Sequence, residues 1–368
     1  MIPVAEPQVT ARDIALVNEA LNSGWISSAG KFLDLFEERW AAYCGMPHCI
    51  AVSNGSVALD VAVGLLDLKP GDEVIMPTFT IISPAQSVVR AGGVPVLVDS
   101  NPHNWQMDVS QIEARITQKT RAILVVHIYG HPADIDPILD IARRHNLIVI
   151  EDAAEVHGAE YKGRRCGGLG DISTFSFYAN KLVTTGEGGM VLVRTAEMAE
   201  QARSLRNLCF QKKQRFLHDE LGYNFRLTNL QAALGVGQIE RMEQIVARKR
   251  SIAAAYTEIL KEIPGIQLPA EEVWAKNVYW VYGVVLHGES GLTALQLSER
   301  LRQRGVETRP FFLGMHEQPV FQQMGLFGGE RYPVAENLGR QGLYIPSGLT
   351  ITDQQINDVV IALRECLV

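Results

Sequence analysis

The 368-residue sequence has no apolar run of the roughly 18 to 20 residues that a membrane-spanning helix needs. Its five cysteines are odd in number and form no C-x-x-C pair, so neither a disulfide framework nor a zinc knuckle is indicated. A net charge of −7 argues against extensive nucleic-acid binding. The first residues lack a basic segment followed by an apolar one, so we expect no signal peptide and a cytoplasmic protein.

The common nucleotide-binding and metal-binding motifs are also missing. Neither a Walker loop nor a G-x-G-x-x-G follows the first predicted strand. A metal site would have to use His127, His131 and His157. The segment "HIYGH" begins in a predicted strand, however, and it lacks the glutamate of the H-E-x-x-H motif. We therefore predict no metal.

What the sequence does contain is an alternation of short apolar runs and helical patterns from about residue 50 to 195. This alternation predicts an α/β domain with a central, mainly parallel sheet. The short gap between "ISTFSFY" and "GMVLV" leaves open an antiparallel pairing of these last two runs. A long helical pattern follows, and then a fresh α+β pattern. We predict a large domain over residues 1–250 and a smaller C-terminal α+β domain over 251–368.

Polar residues stand at the ends of several predicted strands, where open α/β sheets bind ligands. Gly55 and Ser56 begin a helix whose free N–H groups and dipole favour a phosphate, although an ordinary helix cap is an alternative. Glu151 and Asp152 end a buried strand and point to opposite faces, so one of them can face a ligand. Lys181 follows the next strand, before a glycine-rich turn. A phosphate site, a strand-end aspartate and such a lysine together indicate pyridoxal phosphate chemistry.

The order and spacing of several motifs resemble those of the DegT/DnrJ/EryC1/StrS sugar aminotransferases, over about residues 8 to 350. The resemblance implies the aspartate-aminotransferase fold, fold type I of the pyridoxal-phosphate-dependent transferases. It also implies that the cofactor is pyridoxal 5′-phosphate, with pyridoxamine phosphate as its amino form. The motifs are "WISSAGKFLDLFEERWA", "VSNGSVALDVAV", "GDEVIMPTFT", "VPVLVDS", "VHIYGHPADID", "IEDAAEVHGAEYKGRRCGGLGDISTFSFYANKLVTTGEGGMV" and "LGYNFRLTNLQAALG".

The resemblance assigns catalytic roles to two residues of this chain. Lys181 matches the Schiff-base lysine, and Asp152 matches the partner of the pyridine nitrogen. Glu155 occupies the place near the cofactor's phenolic oxygen where many members have glutamine. A glutamate fits there only if it shares a proton or contacts the sugar. Some close relatives are 3-dehydratases with histidine at the lysine position, so Lys181 favours transamination.

Further cofactor contacts follow from the same resemblance. Gly55, Ser56 and Ser176 match the phosphate cradle, and Asn224 matches a residue that reaches the phosphate of the other subunit's cofactor. The active sites would therefore be shared within a homodimer. The chain departs from the family at Ile81, where an aromatic side chain often stacks on the cofactor ring. Ile81 would cover the ring by apolar packing alone.

The resemblance also implies the substrates: L-glutamate as amino donor and a nucleotide-linked 4-keto-6-deoxy sugar, most closely a GDP-linked one, as acceptor. The product would enter a cell-surface polysaccharide or a glycosylated natural product. His316 and Arg309 match sugar-contacting positions, with an exposed loop histidine as the alternative for His316. Trp25 and Ser27 are expected to line the sugar pocket, unless Trp25 is a core residue. Four residues are candidates for the diphosphate, or else form a solvated basic loop: Arg206, Lys212, Lys213 and Arg215.

Three other functions stay open. The first is the same reaction on a dTDP- or UDP-linked ketosugar, at C3 or C4. The second is a non-catalytic regulator that binds the cofactor, against which the intact Lys181 and Asp152 argue. The third is a cysteine-dependent lyase, for which Cys166 is the candidate by proximity, although nothing marks its thiol as activated.

Overall fold

The computed structural model describes residues 1–211, 213–287 and 291–367. The α-helices in these ranges are α1 Ala11–Asn22, α2 Lys31–Cys44, α3 Gly55–Gly64, α4 Ser83–Arg90, α5 Ile135–His145, α6 Ala196–Arg206, α7 Asn229–Ile239, α8 Met242–Leu260, α9 Ala294–Gln303, α10 Pro319–Gln323, α11 Pro333–Gln341 and α12 Asp353–Leu367. The strands are β1 His48–Val52, β2 Glu73–Pro77, β3 Val94–Val98, β4 Thr120–Val126, β5 Ile148–Asp152, β6 Glu160–Tyr161, β7 Arg164–Arg165, β8 Ile172–Ser176, β9 Gly189–Val193, β10 Ile266–Gln267, β11 Ala275–Lys276, β12 Tyr282–Leu286, β13 Arg309–Pro310 and β14 Gly342–Ile345.

A seven-stranded sheet forms the centre of the larger part, in the order β1-β9-β8-β5-β4-β2-β3. Strand β9 pairs antiparallel with both of its neighbours, whereas the pairs β8/β5, β5/β4, β4/β2 and β2/β3 are parallel. The predicted mainly parallel sheet is confirmed, and the antiparallel alternative is the correct one for the pair β8/β9. Continuous apolar runs suit these strands because helices cover both faces of such a sheet.

The parallel order brings the carboxyl ends of β5 and β8 to one edge of the sheet, with the amino end of α3 nearby. Helix α3 begins where it does because the Oδ1 of Asn54 accepts a hydrogen bond from Val57 N at 3.0 Å. This Asn cap satisfies one of the N–H groups at the start of the helix, and the first turn of a helix has others that a ligand can bind. The same sheet edge therefore carries the polar residues that the sequence singled out.

The smaller part has its own sheet, β10-β12-β14-β13, which is antiparallel throughout. A second hydrophobic core lies beneath it and includes α8 from Ile252 onward. The first residues of the chain also contact this part: Ile2 pairs with Val306, and Val4 O accepts from Ser347 N at 3.0 Å. The predicted division, with residues 1–250 in the larger domain, stays a prediction; the backbone of these first residues pairs with the smaller part.

No helix in the described ranges is long and apolar enough to cross a lipid bilayer.

Candidate active site

Lys181 lies in the turn that follows β8, with only about 10% of its side chain exposed. Its Nζ is 3.8 Å from Glu155 Oε1 and 3.5 Å from the centroid of the Trp280 ring. Burial lowers the pKa of Lys181, while the carboxylates of Glu155 and Asp152 oppose that change. The result is an amine that loses its proton more readily than an exposed lysine, as a nucleophile for an aldehyde must.

Asp152 and Glu151 end β5 and face opposite sides of the sheet, as predicted from their adjacency. Burial raises the pKa of Asp152, and the N–H of Ala154, 3.1 Å from Oδ1, and the charge of Lys181 partly offset this effect. One carboxylate oxygen of Asp152 thus has a protein donor. The carboxylate also interacts electrostatically with the amine of Lys181.

Glu151 is fully buried and supports the loop that contains Gly167. Its carboxylate accepts hydrogen bonds from the N–H groups of Gly167, Leu169 and Gly170 at 2.6 to 2.9 Å, and it lies 3.1 Å from His127 Nε2. Burial by itself raises the pKa of Glu151, but His127 and the backbone donors outweigh it and lower the pKa. Glu151 is therefore a structural anion.

We expect Glu151→Gln to destabilise the protein by about 3 kcal/mol, because an amide NH₂ would face buried N–H donors. Urea unfolding followed by circular dichroism measures this difference. Glu258→Gln is the matched control, since the Glu258 side chain is 73% exposed and its ion pair with Lys261 is a surface pair. Equal stability of the two variants would contradict the role given to Glu151.

Glu155 is buried beside Lys181, and burial raises its pKa to about 7. Its Oε2 accepts a hydrogen bond from Tyr129 N at 2.7 Å. Tyr129 itself adopts φ 58°, a left-handed conformation that costs a tyrosine about 1 to 2 kcal/mol. The hydrogen bond to Glu155 helps to hold this strained residue, and such strain concentrates at functional sites. Sequence reasoning missed Tyr129.

Gly55 lies against Ser176, and Ser56 follows Gly55 in the first turn of α3. A Cβ on Gly55 would lie 2.6 Å from the Cβ of Ser176, so only glycine allows this close approach. Ser56 is exposed at the start of α3, and its Oγ lies 2.8 Å from the Oγ of Ser83 at the start of α4. The hydroxyls of Ser56 and Ser83 and the amino end of α3 form a cradle suited to a phosphate. Ser83 is a neighbour that sequence reasoning did not identify.

These residues fit pyridoxal phosphate. The amine of Lys181, the carboxylate of Asp152 that interacts with it, and the cradle at the start of α3 suit the aldehyde, the ring nitrogen and the phosphate of that molecule. Ile81, predicted to cover the ring, has about 46% of its surface exposed, so it is available for such a contact. Its role, like those of Gly55 and Ser176, stays a prediction.

Asn224 lies on a different segment from the rest of these residues. It is exposed, pairs through its backbone with Asn207, and accepts a hydrogen bond from Arg226 Nε at 2.8 Å. Exposure agrees with a residue that reaches toward a second subunit. Its contact with a partner's cofactor stays a prediction.

His316 is buried, with 4% of its surface exposed, so the alternative of an exposed loop histidine is wrong. Its Nδ1 lies 2.8 Å from Thr78 Oγ1 at the end of β2, and its Nε2 is 3.4 Å from Glu336. Arg309 is exposed and forms an ion pair with Glu307 at 2.6 Å. Sugar contacts of His316 and Arg309 remain predictions.

Trp25 and Ser27 lie in the loop between α1 and α2. Trp25 is about 61% exposed, which excludes the alternative of a core residue. Asn229 fixes this loop, because its Nδ2 donates to Trp25 O and its backbone N–H donates to Ser27 O, both at 2.6 Å. A Cβ on Gly30 would also collide with Asn229. The loop is thus held in one conformation with the indole of Trp25 in solvent.

The candidate diphosphate residues are divided between two places. Arg206 and Arg215 line a cavity of about 450 Å³ together with Arg203, Arg226 and Ser28. Arg206 donates to Glu37 at 2.7 Å and to Ala51 O at 2.8 Å, so part of its charge is already neutralised. Lys213 lines a different cavity, and Lys212 lies outside the described residues.

The metal and cysteine alternatives find no support in the geometry. His127 is fully occupied: Nε2 lies 3.1 Å from Glu151, and Nδ1 accepts the N–H of Ala133 at 2.9 Å. Within residues 1–211, 213–287 and 291–367, no group of three or more potential ligands is arranged for a metal ion. Cys166 is buried, and burial raises the pKa of its thiol well above the usual value. A thiol in that state is not activated.

Comparison with known proteins identifies the class. The DegT/DnrJ/EryC1/StrS aminotransferase family matches residues 7–364, and this chain belongs to that family. It is a pyridoxal-phosphate-dependent enzyme of the sugar aminotransferase group, so the predicted fold, enzyme class and cofactor are confirmed.

Three individual relatives show how far the similarity reaches. The GDP-perosamine synthase of Caulobacter vibrioides is 40% identical over 100% of this chain and 98% of its own length. The putative pyridoxal phosphate-dependent aminotransferase EpsN of Bacillus subtilis is 31% identical over 98% of this chain and 94% of its own length. The crystal structure of S. venezuelae DesV in complex with a ketimine intermediate superimposes with a TM-score of 0.90, at 35% identity over 97% of this chain and 94% of that one.

Proposed function

We propose that this enzyme transfers the amino group of L-glutamate to C4 of GDP-4-keto-6-deoxymannose and so forms GDP-perosamine. The observation that carries the proposal is the buried amine of Lys181, which lies 3.8 Å from Glu155 and interacts electrostatically with Asp152. The choice of sugar is supported by the 40% identity to a GDP-perosamine synthase over the whole chain.

In this proposal each residue has a separate task. The bound cofactor supplies an aldehyde and an electron-withdrawing ring. Lys181 offers a deprotonated amine to the aldehyde and, once released, carries a proton to and from the sugar carbon. Asp152 holds a proton on the ring nitrogen, because a buried carboxylate is stabilised by an adjacent cation. Ser56 and Ser176 bind the phosphate.

The proposal also includes a homodimer with shared active sites, acting in the cytoplasm. Apolar side chains beside Asn224 support the dimer: Phe216 is 82% exposed, Leu221 is 94% exposed and Tyr223 is 48% exposed. Exposed apolar side chains that cluster on one segment are typical of a surface covered by a partner. A second copy is the partner that would bring Asn224 to an active site.

The test is a panel of ketosugars with the purified enzyme, pyridoxal phosphate and L-glutamate. We expect amination of GDP-4-keto-6-deoxymannose at C4, with kcat/KM at least about tenfold above that for dTDP- or UDP-linked 4-keto sugars and 3-keto sugars. Mass spectrometry and NMR of the product give the position of the new amine. Preference for a dTDP- or UDP-linked sugar would overturn the GDP assignment and leave the reaction type intact. No amination of any sugar would favour the non-catalytic regulator.

Glu155 gives a prediction about stability. Its pKa rises on folding from 4.5 to about 7, so the folded state binds more protons than the unfolded chain between these values. The contribution of Glu155 to the free energy of unfolding should therefore fall as pH rises through this window, and comparison with a variant that lacks Glu155 isolates it from groups such as His157. Glu155→Gln removes the titrating group, and we expect it to gain about 2 kcal/mol relative to the wild type between pH 4.5 and 7.

Urea unfolding of the wild type and of Glu155→Gln across that pH range measures the effect. Glu160→Gln serves as a control at a nearby, less buried glutamate that pairs with Lys276. A constant stability difference between the wild type and Glu155→Gln at every pH would contradict the assignment of a shared proton to Glu155.

A further inference from the structure

Trp280 lies directly against the amine of Lys181, yet it belongs to the smaller part of the protein. The Nζ of Lys181 is 3.5 Å from the centroid of the indole ring, within the range of a cation–π contact. The indole is about 6% exposed, so the contact lies away from bulk water. Trp280 stands just before β12, about a hundred residues from Lys181 along the chain.

Three backbone contacts fix the position of this indole. Its Nε1 donates to the carbonyl of Asn180 at 2.9 Å, so it is bonded to the residue next to Lys181. The carbonyl of Trp280 accepts a hydrogen bond from Lys249 Nζ at 2.9 Å. A Cβ on Gly130 would lie 2.5 Å from Trp280 N, so glycine is needed for the chain to pass there. The ring is therefore attached to both parts of the protein.

Lys249 is unusual because it is buried and donates hydrogen bonds to neutral oxygen atoms. Besides the Trp280 carbonyl, Nζ donates to Ser347 O at 2.5 Å, and Ser347 Oγ lies at 3.4 Å. Burial lowers the pKa of Lys249 to about 7. Burial of a lysine costs free energy. Proteins tolerate this cost where the lysine forms hydrogen bonds with groups that would otherwise be unpaired. Here it holds the carbonyl of Trp280.

We propose that Trp280 is a positioning residue for Lys181: its indole face is the surface on which the free ε-amino group rests, and Lys249 and Asn180 hold that face in place. The proposal rests on the proposed role of Lys181 as the lysine that binds the cofactor. An amine that alternates between attachment and proton transfer must return to one place each time it is released. A rigid aromatic face fixes this place and favours the protonated amine, because the ring quadrupole attracts a cation.

Other charged and titratable groups around Lys181 also affect its pKa. A test must therefore separate their effects from that of Trp280. Glu155 and Asp152 face the amine from β5 and the turn after it, and both favour its protonated form. His157 interacts with Lys181 electrostatically from the same turn, and burial lowers the pKa of His157 to about 3, so it is neutral near pH 7. Lys249 donates a hydrogen bond to the backbone carbonyl of Trp280. None of these groups changes when only Trp280 is replaced.

The test measures the protonation of Lys181 in the cofactor-free protein by reductive methylation with formaldehyde and cyanoborohydride. Peptide mass spectrometry follows the rate at Lys181 between about pH 6 and 10, and the midpoint of the profile gives the pKa. In Trp280→Leu we expect this midpoint to fall by about one unit, since the cation–π contact is lost. Lys69, whose side chain is 69% exposed, is the internal control and should keep its wild-type profile.

Trp280→Phe separates positioning from a general loss of structure. It keeps a ring face without the indole N–H, so we expect a fall of less than half that of the leucine variant. A Lys181 midpoint unchanged in Trp280→Leu would overturn the proposal, even if that variant were less stable. If the leucine variant cannot be purified in folded form, Trp280→Met replaces it as a large apolar side chain without a ring face, and an unchanged midpoint in that variant overturns the proposal.

These results do not depend on transamination, because no cofactor or sugar is present. Failure of the proposed function would be seen separately, as a wild-type protein that develops no visible absorbance with pyridoxal phosphate. A shift of the Lys181 midpoint in such a protein would still support the positioning role of Trp280.

Discussion

Replacement of Lys181 by alanine is expected to remove the yellow absorbance of the protein–cofactor complex and to lower the transamination rate roughly 10⁴-fold. The reason is that, in the proposed function, Lys181 provides both the amine that binds the cofactor aldehyde and the proton carrier of the later steps. Absorbance spectra before and after L-glutamate, followed by product analysis with the preferred sugar, measure both effects. The wild-type band should bleach on addition of glutamate, whereas the variant should have no such band.

Two further variants make the result specific. Lys181→Arg keeps a positive charge between Trp280 and Glu155, but an arginine does not form the imine, so it should be as inactive as Lys181→Ala. Lys69→Ala removes an exposed lysine and should behave as the wild type. A Lys181→Ala variant that retains more than about a tenth of the wild-type rate would exclude Lys181 as the essential amine.

The sequence was sufficient for those parts of the site that depend on local order along the chain. Asp152 and Lys181 each follow a buried strand, and parallel strands β5 and β8 bring such ends together by their pairing alone. Gly55 and Ser56 were predicted for the same reason, because they begin the helix after the first strand. Alternation of strands and helices likewise predicted the large sheet, including the ambiguity at β9.

The parts that could not be predicted depend on contacts between distant segments. In the sequence, Trp280 is an ordinary aromatic residue before a predicted strand. No residue near it in the sequence indicates that its ring contacts Lys181. Tyr129 was missed because only the fold reveals its left-handed conformation and the hydrogen bond from its backbone N–H to the carboxylate of Glu155. The burial of His316 depends on Thr78, which is 238 positions away. Sequence periodicity carries no signal for such pairs.

The second large effect is expected at Asp152, to which the proposed function assigns the task of keeping the ring nitrogen protonated. Asp152→Asn keeps the shape of the side chain and an oxygen for the Ala154 N–H, but it removes the negative charge that holds a proton on the cofactor ring. We expect kcat to fall about 10²- to 10³-fold, comparable to the removal of one preorganised electrostatic group in other enzymes. Single-turnover absorbance after addition of L-glutamate measures the half-reaction directly.

Stability distinguishes this effect from misfolding. Burial raises the pKa of Asp152, so its charge costs folding free energy, and the neutral asparagine should leave the unfolding midpoint unchanged or slightly higher. Asp67→Asn, at a side chain that is 79% exposed, is the control for a charge change away from the site. A folded Asp152→Asn protein with a rate within about threefold of the wild type would show that the ring nitrogen is not held by this carboxylate. If the variant is folded and slow but still binds the cofactor through Lys181, the loss of kcat is due to the missing charge beside the ring nitrogen, because Lys181 is intact.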